Sequence, residues 1–342
     1  MIWKASRQFF VRVASLTDVW IYSLGVALGA EPVLASDLVE EFGPVREGFL
    51  DRTGFSRLFR AVGDETGLSL AIDAVANDKS SWWKTAVDSL IYVTSTGSLV
   101  APGNSHLLQD ALELNPEILL LDINDACTGF IRSLHVAQSL VSSGSAKTVL
   151  LVLSDTYSKL YDPSQLKVSP LFSDGASALI ISKEKIQEAP ESASPRNWRF
   201  LSNWFLSEGG RATELAISRG VAEKPLGALT MNGAGVFNFV LRHLNDCVDK
   251  LTTDAQIDVT QVEQWYVHQG SRAVVTAVEK TLGASYGSLF RSEDYGNTVG
   301  SSLPFQLYAD RTQSAKGEII GLLAFGVGLT MAGMLVEQLL LD

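Results

Sequence analysis

Two pairs of apolar segments recur in the same order along this chain, and that repetition constrains the fold more than any other feature. "VDSLIYVTSTGS" (87–98) and "VEQWYVHQGS" (262–271) each carry an acid, an apolar run and then small polar residues. "KTVLLVLSD" and "GASALIISKE" (147–184) read as a strand, a loop and a returning strand. "GEIIGLLAFGVGLTMAGMLVE" (317–337) repeats that plan around its interior glycines. Similar segments in one order point to an internal duplication. Short apolar runs bounded by turn residues read as strands buried on both faces. With helical stretches between them they predict α/β layers with mixed sheets. "VWIYSLGVA" (19–27) is the expected first strand, and Leu68, Ala71, Ile72 and Val75 have helical spacing.

The least structured stretch, "KEKIQEAPESASPRNW" (183–198), is rich in Pro, Ser and charge and marks a seam. We expect an N-terminal half over 18–189 and a C-terminal half over 190–342. A chain of 342 residues exceeds what one core usually serves. Its hydrophobic fraction of 46% and charged fraction of 19% support a large buried core. A net charge of −11 argues against nucleic acid as a partner, because phosphate attraction needs a basic surface. Two cysteines cannot build a disulfide framework, and neither CxxC nor HExxH occurs, so no metal and a reducing, cytoplasmic setting are expected. "MIWKASRQFFVRVASLTDVW" lacks the long apolar run and cleavage site of a secretory signal and reads as a first strand with a short extension. No membrane span is expected, since the glycines of 317–337 divide its apolar run into strand, turn and strand.

Cys127 stands in "NDACTGF", where a strand hands over to a helix. A free cysteine commonly serves as a small buried hydrophobe. At a helix N-terminus, unpaired N–H groups stabilise a thiolate, so a lowered thiol pKa is expected there. Cys247, within a helical pattern, reads as structural. Of the four histidines, His135 and His243 fall in helical patterns and His106 in a loop after "APGNS". His268 ends a buried strand, the place where open α/β sheets put their chemistry; the plainer alternative is a satisfied strand-end histidine. Asn297 in "DYGNTVGSSLP" offers a non-titrating amide, although Gly-Asn is also turn vocabulary.

"DACTGF", "VHQGS", "YGNTVGSSLP" and "AFGVGLTMAG" occur in that order, with "DRTGF" before them and "LFSDGASALII" between. As an ordered set the chain resembles β-ketoacyl-ACP synthase III, a branch of the thiolase superfamily, from about residue 18 to its end. The resemblance implies a thiolase-like fold of two duplicated α/β halves in an αβαβα arrangement. It implies a triad of Cys127, His268 and Asn297, and an oxyanion hole from the N–H groups of Cys127 and Val327. Phe325, Gly326 and Gly328 keep the form of the glycine-rich loop. Thiolases proper carry a second cysteine in that loop, and "AFGVGLT" has none.

The implied activity is decarboxylative condensation of a Cys127-bound acyl group with a malonyl thioester, in specialised fatty-acid or polyketide-type biosynthesis. The rivals are transfer of that acyl group to an O, N or C acceptor, and a non-catalytic partner subunit. No tightly bound cofactor is implied; the substrates would be acyl-CoA or acyl carrier protein phosphopantetheine thioesters. A homodimer is expected, with a heterodimer of related subunits as the alternative, and "TSTGSLVAPGN" near the acyl channel and dimer seam. Arg52 and Ser271 fall at substrate-binding positions. Ser271 replaces the family's second asparagine, Gly48 stands where the family has a tryptophan that grips coenzyme A, and Leu166 and Lys167 occupy the place of a second arginine. Trp82 and Trp83 fit a core role better than a pocket wall. Arg57, Arg60, Arg211, Arg219 and Arg272 are candidates for a basic patch that meets an acidic carrier.

Overall fold

The computed structural model describes residues 18–218, 227–283, 286, 288–311 and 317–339. The proposed N-terminal extension (1–17) and Arg219 lie outside them. The first half runs through β1 (Val19–Leu28), β2 (Glu31–Leu34), α1 (Ala35–Phe42), α2 (Phe49–Thr53), β3 (Arg57–Arg60), α3 (Gly67–Ala76), β4 (Ser89–Val93), α4 (Asn104–Ala111), β5 (Leu119–Ile123), α5 (Gly129–Ser143), β6 (Thr148–Asp155) and β7 (Gly175–Ser182). The second runs through β8 (Arg196–Ser207), β9 (Leu215–Ile217), β10 (Leu229–Met231), α6 (Gly233–Ala255), β11 (Val262–Val267), α7 (Arg272–Leu282), α8 (Ser302–Ala309), β12 (Ile319–Gly326) and β13 (Thr330–Gln338). We propose the seam between halves near residue 190, between β7 and β8. The strand β8 starts at Arg196, inside the stretch that composition marks as unstructured.

The strand order is β11-β12-β13-β8-β1-β7-β6-β4-β5. It carries the duplication. β4 is parallel to β6, β6 antiparallel to β7, and β7 antiparallel to β1. β11, β12, β13 and β8 repeat those neighbours in the same orientations. An antiparallel pairing of β1 with β8 over Val19–Ile21 joins the half-sheets into one ladder.

Both faces of each half-sheet are covered, so side chains alternate between two apolar layers. In β6, Val149, Leu151 and Leu153 face a central layer, whereas Leu150 and Val152 face an outer one. The central layer holds α5, through Phe130, Leu134, Ala137 and Val141, and α8, through Leu303 and Leu307. These residues of α5 recur at helical spacing, and Gly144 ends the helix in the left-handed conformation (φ 75°). The outer layers are α3 with α4 on the first half-sheet, and α6 with α7 on the second. The layers therefore follow the expected αβαβα order. Cys247 is core within α6, packed against Gly333 of β13. Trp83 is core as well, and Trp82 leans on Tyr22 with ring centroids 5.0 Å apart.

The helical spacing of Leu68, Ala71, Ile72 and Val75 is met by α3, and one other local expectation needs correction. The buried stripe of α3 is Gly67, Leu70, Ala71, Ala74 and Val75, with Leu68 and Ile72 at its margin. His106 lies in α4, not in a loop. The reason is tertiary: the Asp122 carboxylate on β5 accepts the N–H groups of Asn104 and Ser105 and caps that helix from outside it. Among the described residues no helix is long and apolar enough to cross a membrane.

Candidate active site

Four loops from the two halves meet over the ends of β5, β11 and β12. Cys127 lies in the turn between β5 and α5, two residues before the first helical residue, and is 4% exposed. Gly129 allows the turn to pack down, since a β-carbon there would sit 2.8 Å from Val93. The glycine-rich loop at the end of β12 closes over the cysteine. A β-carbon on Gly326 would lie 2.6 Å from Cys127 Sγ.

His268 follows the last residue of β11, and its N–H donates to the Leu323 carbonyl of β12 at 2.8 Å. It is 2% exposed, and its ring meets Phe325 edge-on at 5.6 Å. Asn297 is held strand-like: its N–H donates to Leu171 at 3.0 Å, and its carbonyl accepts from Ser173 at 2.9 Å. Its Oδ1 accepts the Val299 N–H at 2.9 Å. The same loop meets the cysteine turn three residues on, where a β-carbon at Gly300 would lie 3.1 Å from the Ala126 carbonyl. The fold thus gathers the turns carrying Cys127, His268, Asn297 and Val327. Gly326 touches the sulfur, Phe325 touches the imidazole, and Gly300 touches the residue before the cysteine.

The electrostatics differ from the expectation at Cys127. Its thiol is pushed up to about 12, not down. Burial is the main cause, and the Asp125 and Asp155 carboxylates add to it; the N–H groups of Val327 and of Cys127 itself oppose it. The helix-terminus argument fails because desolvating a thiolate outweighs a terminus that begins two residues later. Burial also drives His268 down to about 3. No carboxylate partners the ring, and Nδ1 is buried without a hydrogen-bond partner among the described residues. The resting pair is a neutral thiol and a neutral imidazole.

The remaining candidates scatter. Arg52 is exposed on α2 and donates to the Glu47 carbonyl at 3.2 Å. Its guanidinium covers Gly48: a β-carbon there would lie 3.1 Å from Nη1, and Gly48 has φ 66°. Ser271 caps α7, accepting the Val274 N–H at 3.4 Å. Gly328 has φ 134° in the turn beyond Val327. Leu166 packs on the core and Lys167 is exposed. Arg211 is tied to Glu208 and Glu214, and Arg272 to Glu293, so neither charge is unpaired. Arg57 is exposed and Arg60 half-buried. A separate cavity of about 510 Å³, lined by Ser23, Asn77, Asp78, Ser194 and Arg311 among others, shares no residue with these loops.

Sequence reasoning overlooked two acids beside the cysteine. Asp155, at the end of β6, is buried and pushed up to about 7 by desolvation. It accepts from the N–H and hydroxyl of Ser95, both at 2.9 Å, and from the Thr96 hydroxyl at 3.1 Å. Asp125 lies two residues before Cys127 and pairs with Arg132 at 3.3 Å. The available signal was the small polar cluster that ends both β4 and β6.

A duplicated five-layer fold with a cysteine turn under a glycine-rich loop defines a thiolase-like acyltransferase. The family models for 3-oxoacyl-[acyl-carrier-protein] synthase III match residues 121–194, and for its C-terminal part residues 252–338. A β-ketoacyl-[acyl-carrier-protein] synthase III of Xylella fastidiosa is 30% identical over 344 aligned residues, covering 97% of this chain and 99% of the relative. One from Bartonella henselae is 28% identical, covering 89% and 94%. A crystal structure of a 3-oxoacyl-(acyl-carrier-protein) synthase III superposes with a TM-score of 0.79 at 28% identity, covering 94% of this chain and 98% of that one. The chain belongs to the β-ketoacyl-[acyl-carrier-protein] synthase III family and is a condensing enzyme of that type.

Proposed function

We propose that Cys127 accepts an acyl group from a thioester, and that His268 and Asn297 then hold the enolate of a decarboxylating malonyl thioester, which attacks the acyl-cysteine. The observation that carries this reading is the fixed amide of Asn297. Its Oδ1 is occupied by the Val299 N–H, so its NH₂ is the end left to meet substrate. A non-titrating amide donor, with a neutral imidazole as its proposed partner, suits a developing enolate oxygen, which a carboxylate would repel.

In the first half-reaction, Sγ attacks the thioester carbonyl while His268 takes the thiol proton. The N–H groups of Cys127 and Val327 receive the oxyanion. The C–S bond to the carrier breaks, and the proton passes to the departing thiolate. In the second, the malonyl C–C bond breaks with loss of CO₂, and the enolate carbon bonds to the acyl carbonyl carbon. Cys127 leaves as a thiolate and regains a proton from solvent. Little thiolate preexists at neutral pH, and His268 is a weak base while buried, so the proton passes to the imidazole in concert with attack of Sγ on the carbonyl and not before it.

The carrier and pathway belong to the same proposal. Gly48 offers no aromatic surface to an adenine, so delivery by a carrier protein in a specialised pathway is favoured over ordinary acyl-CoA priming. A homodimer is proposed through the β5 edge, where Leu119 is exposed, and the loop before α4, where Val100 is 88% exposed. The test is incubation with acyl-CoA and acyl-carrier thioesters, followed by intact mass and then by malonyl thioester with CO₂ detection. The expected result is an acyl adduct on Cys127 and stoichiometric CO₂. Product formed by transfer without CO₂ would overturn condensation, and an adduct that persists in Cys127→Ala would overturn the nucleophile.

A further inference from the structure

Asp125, Thr128, Thr330 and Arg132 close a ring of contacts around the turn that faces Cys127. The Asp125 carboxylate accepts from the Thr128 hydroxyl at 3.2 Å and from the Ala126 N–H at 2.9 Å. The Thr128 and Thr330 hydroxyl oxygens lie 3.1 Å apart, both buried, and meet in packing contact, since Thr128 gives its one proton to Asp125. Thr330 donates to the Val327 carbonyl at 2.6 Å. Thr330 also pairs with Gly326 across the β12–β13 turn and with Ser207 of β8. Arg132 completes the circuit, holding Asp125 at 3.3 Å through Nη1 and the Ser207 hydroxyl at 2.9 Å through Nη2.

These contacts tie the cysteine turn to the glycine-rich loop through the Thr128 and Thr330 side chains. The loop needs such a tie. Gly326 and Gly328 flank Val327 with conformational freedom on both sides, so its backbone does not hold one orientation unaided. Anchoring the Val327 carbonyl restricts rotation about that residue and so fixes where its own N–H points. Thr128, the N-cap of α5, does not cap with its side chain; its hydroxyl goes to this ring.

We propose that Thr330, Thr128 and Asp125 are positioning residues for the Val327 N–H, holding it where the oxyanion of acyl transfer forms; the proposal rests on the reading of Cys127 as acyl acceptor. None of the three touches the reacting atoms. Asp125 orients Thr128, Thr128 packs against Thr330, and Thr330 holds the carbonyl.

The test compares two reactions of the same sulfur in the full chain. Acylation of Cys127 by butyryl or decanoyl thioesters of coenzyme A or of acyl carrier protein, whichever is fastest with the wild type, passes through an oxyanion. Alkylation by iodoacetamide does not. Thr330→Val keeps the shape and removes the hydroxyl; Thr330→Ser keeps the hydroxyl. A lost oxyanion donor costs roughly a hundredfold or more, so a misaimed one should cost about tenfold or more. The expected result is slower acylation in Thr330→Val by about that factor, alkylation within about threefold of wild type, and recovery of most of the rate in Thr330→Ser. Equal acylation in Thr330→Val and wild type would overturn the positioning role alone, as would acylation and alkylation falling together. A wild type that alkylates but takes no acyl group from any of these coenzyme A or carrier-protein thioesters would overturn the reading of Cys127, and this proposal with it.

Discussion

The Gly326 backbone lies against Cys127 so closely that a β-carbon on it would fall 2.6 Å from Sγ and 2.7 Å from the cysteine Cβ. Two halves of the chain therefore meet at the sulfur with no room for a methyl group. Gly326→Ala must displace either the loop or the thiol, at a cost of about 1–3 kcal/mol in stability. Cys127 acylation, followed by intact mass, is expected to fall more than about 100-fold, because the displaced loop carries the Val327 N–H. A rate near that of wild type would show that the sulfur has space.

The neutral resting pair sets the pH profile. With His268 held down to about 3 and the thiol pushed up to about 12, neither group changes charge across the neutral range. Apart from a step near pH 7 from Asp155, whose carboxylate acts on the thiol, the acylation rate at low thioester concentration is expected to be flat from about pH 6 to pH 9. An inflection near the ordinary imidazole value of about 6.5 that survives in Asp155→Asn would contradict a neutral buried histidine.

The same burial couples His268 to stability. Its folded pKa, about 3, lies below the unfolded value of about 6.5, so in that interval the unfolded chain binds the extra proton. Stability contributed by the neutral ring is present above about pH 6.5 and is lost as pH falls toward 3. Between about pH 7.5 and pH 5.5 the raised pKa of Asp155 acts in the opposite sense, so the readout is the difference between the two proteins: urea unfolding of His268→Gln is expected to change less unfavourably than wild type by on the order of 1 kcal/mol. Equal changes in the two proteins would mean that His268 titrates alike folded and unfolded.

Asn297→Asp separates the half-reactions. An aspartate oxygen can still accept the Val299 N–H, so the loop is preserved. The second oxygen would replace a donor with negative charge where the enolate forms. Condensation, read as CO₂ release from malonyl thioester, is expected to fall at least about 100-fold, with acylation of Cys127 within about tenfold. Parallel losses in the two steps would place Asn297 outside the second one.

Strand assignments were legible because their signal is local. The apolar runs at 89–93 and 148–155 are buried along their whole length, and the run at 262–267 is buried at Val262 and from Trp265 on, where its apolar residues lie. His106 and the α4 cap were not legible, because the capping carboxylate, Asp122, lies 17 and 18 residues away from the N–H groups it accepts. The ring of Asp125, Thr128 and Thr330 was invisible for the same reason: Thr128 and Thr330 are 202 residues apart.

The chain by itself determined the duplicated layers, the family, and which sulfur, imidazole and amide to watch, since periodicity and ordered motifs are properties of neighbours in sequence. Only the tertiary structure decided the charge states. A helix terminus favours a thiolate, but burying Cys127 among carbonyls, carboxylates and the opposing half removes the water that a thiolate requires, and that penalty, set by three-dimensional packing, is the larger.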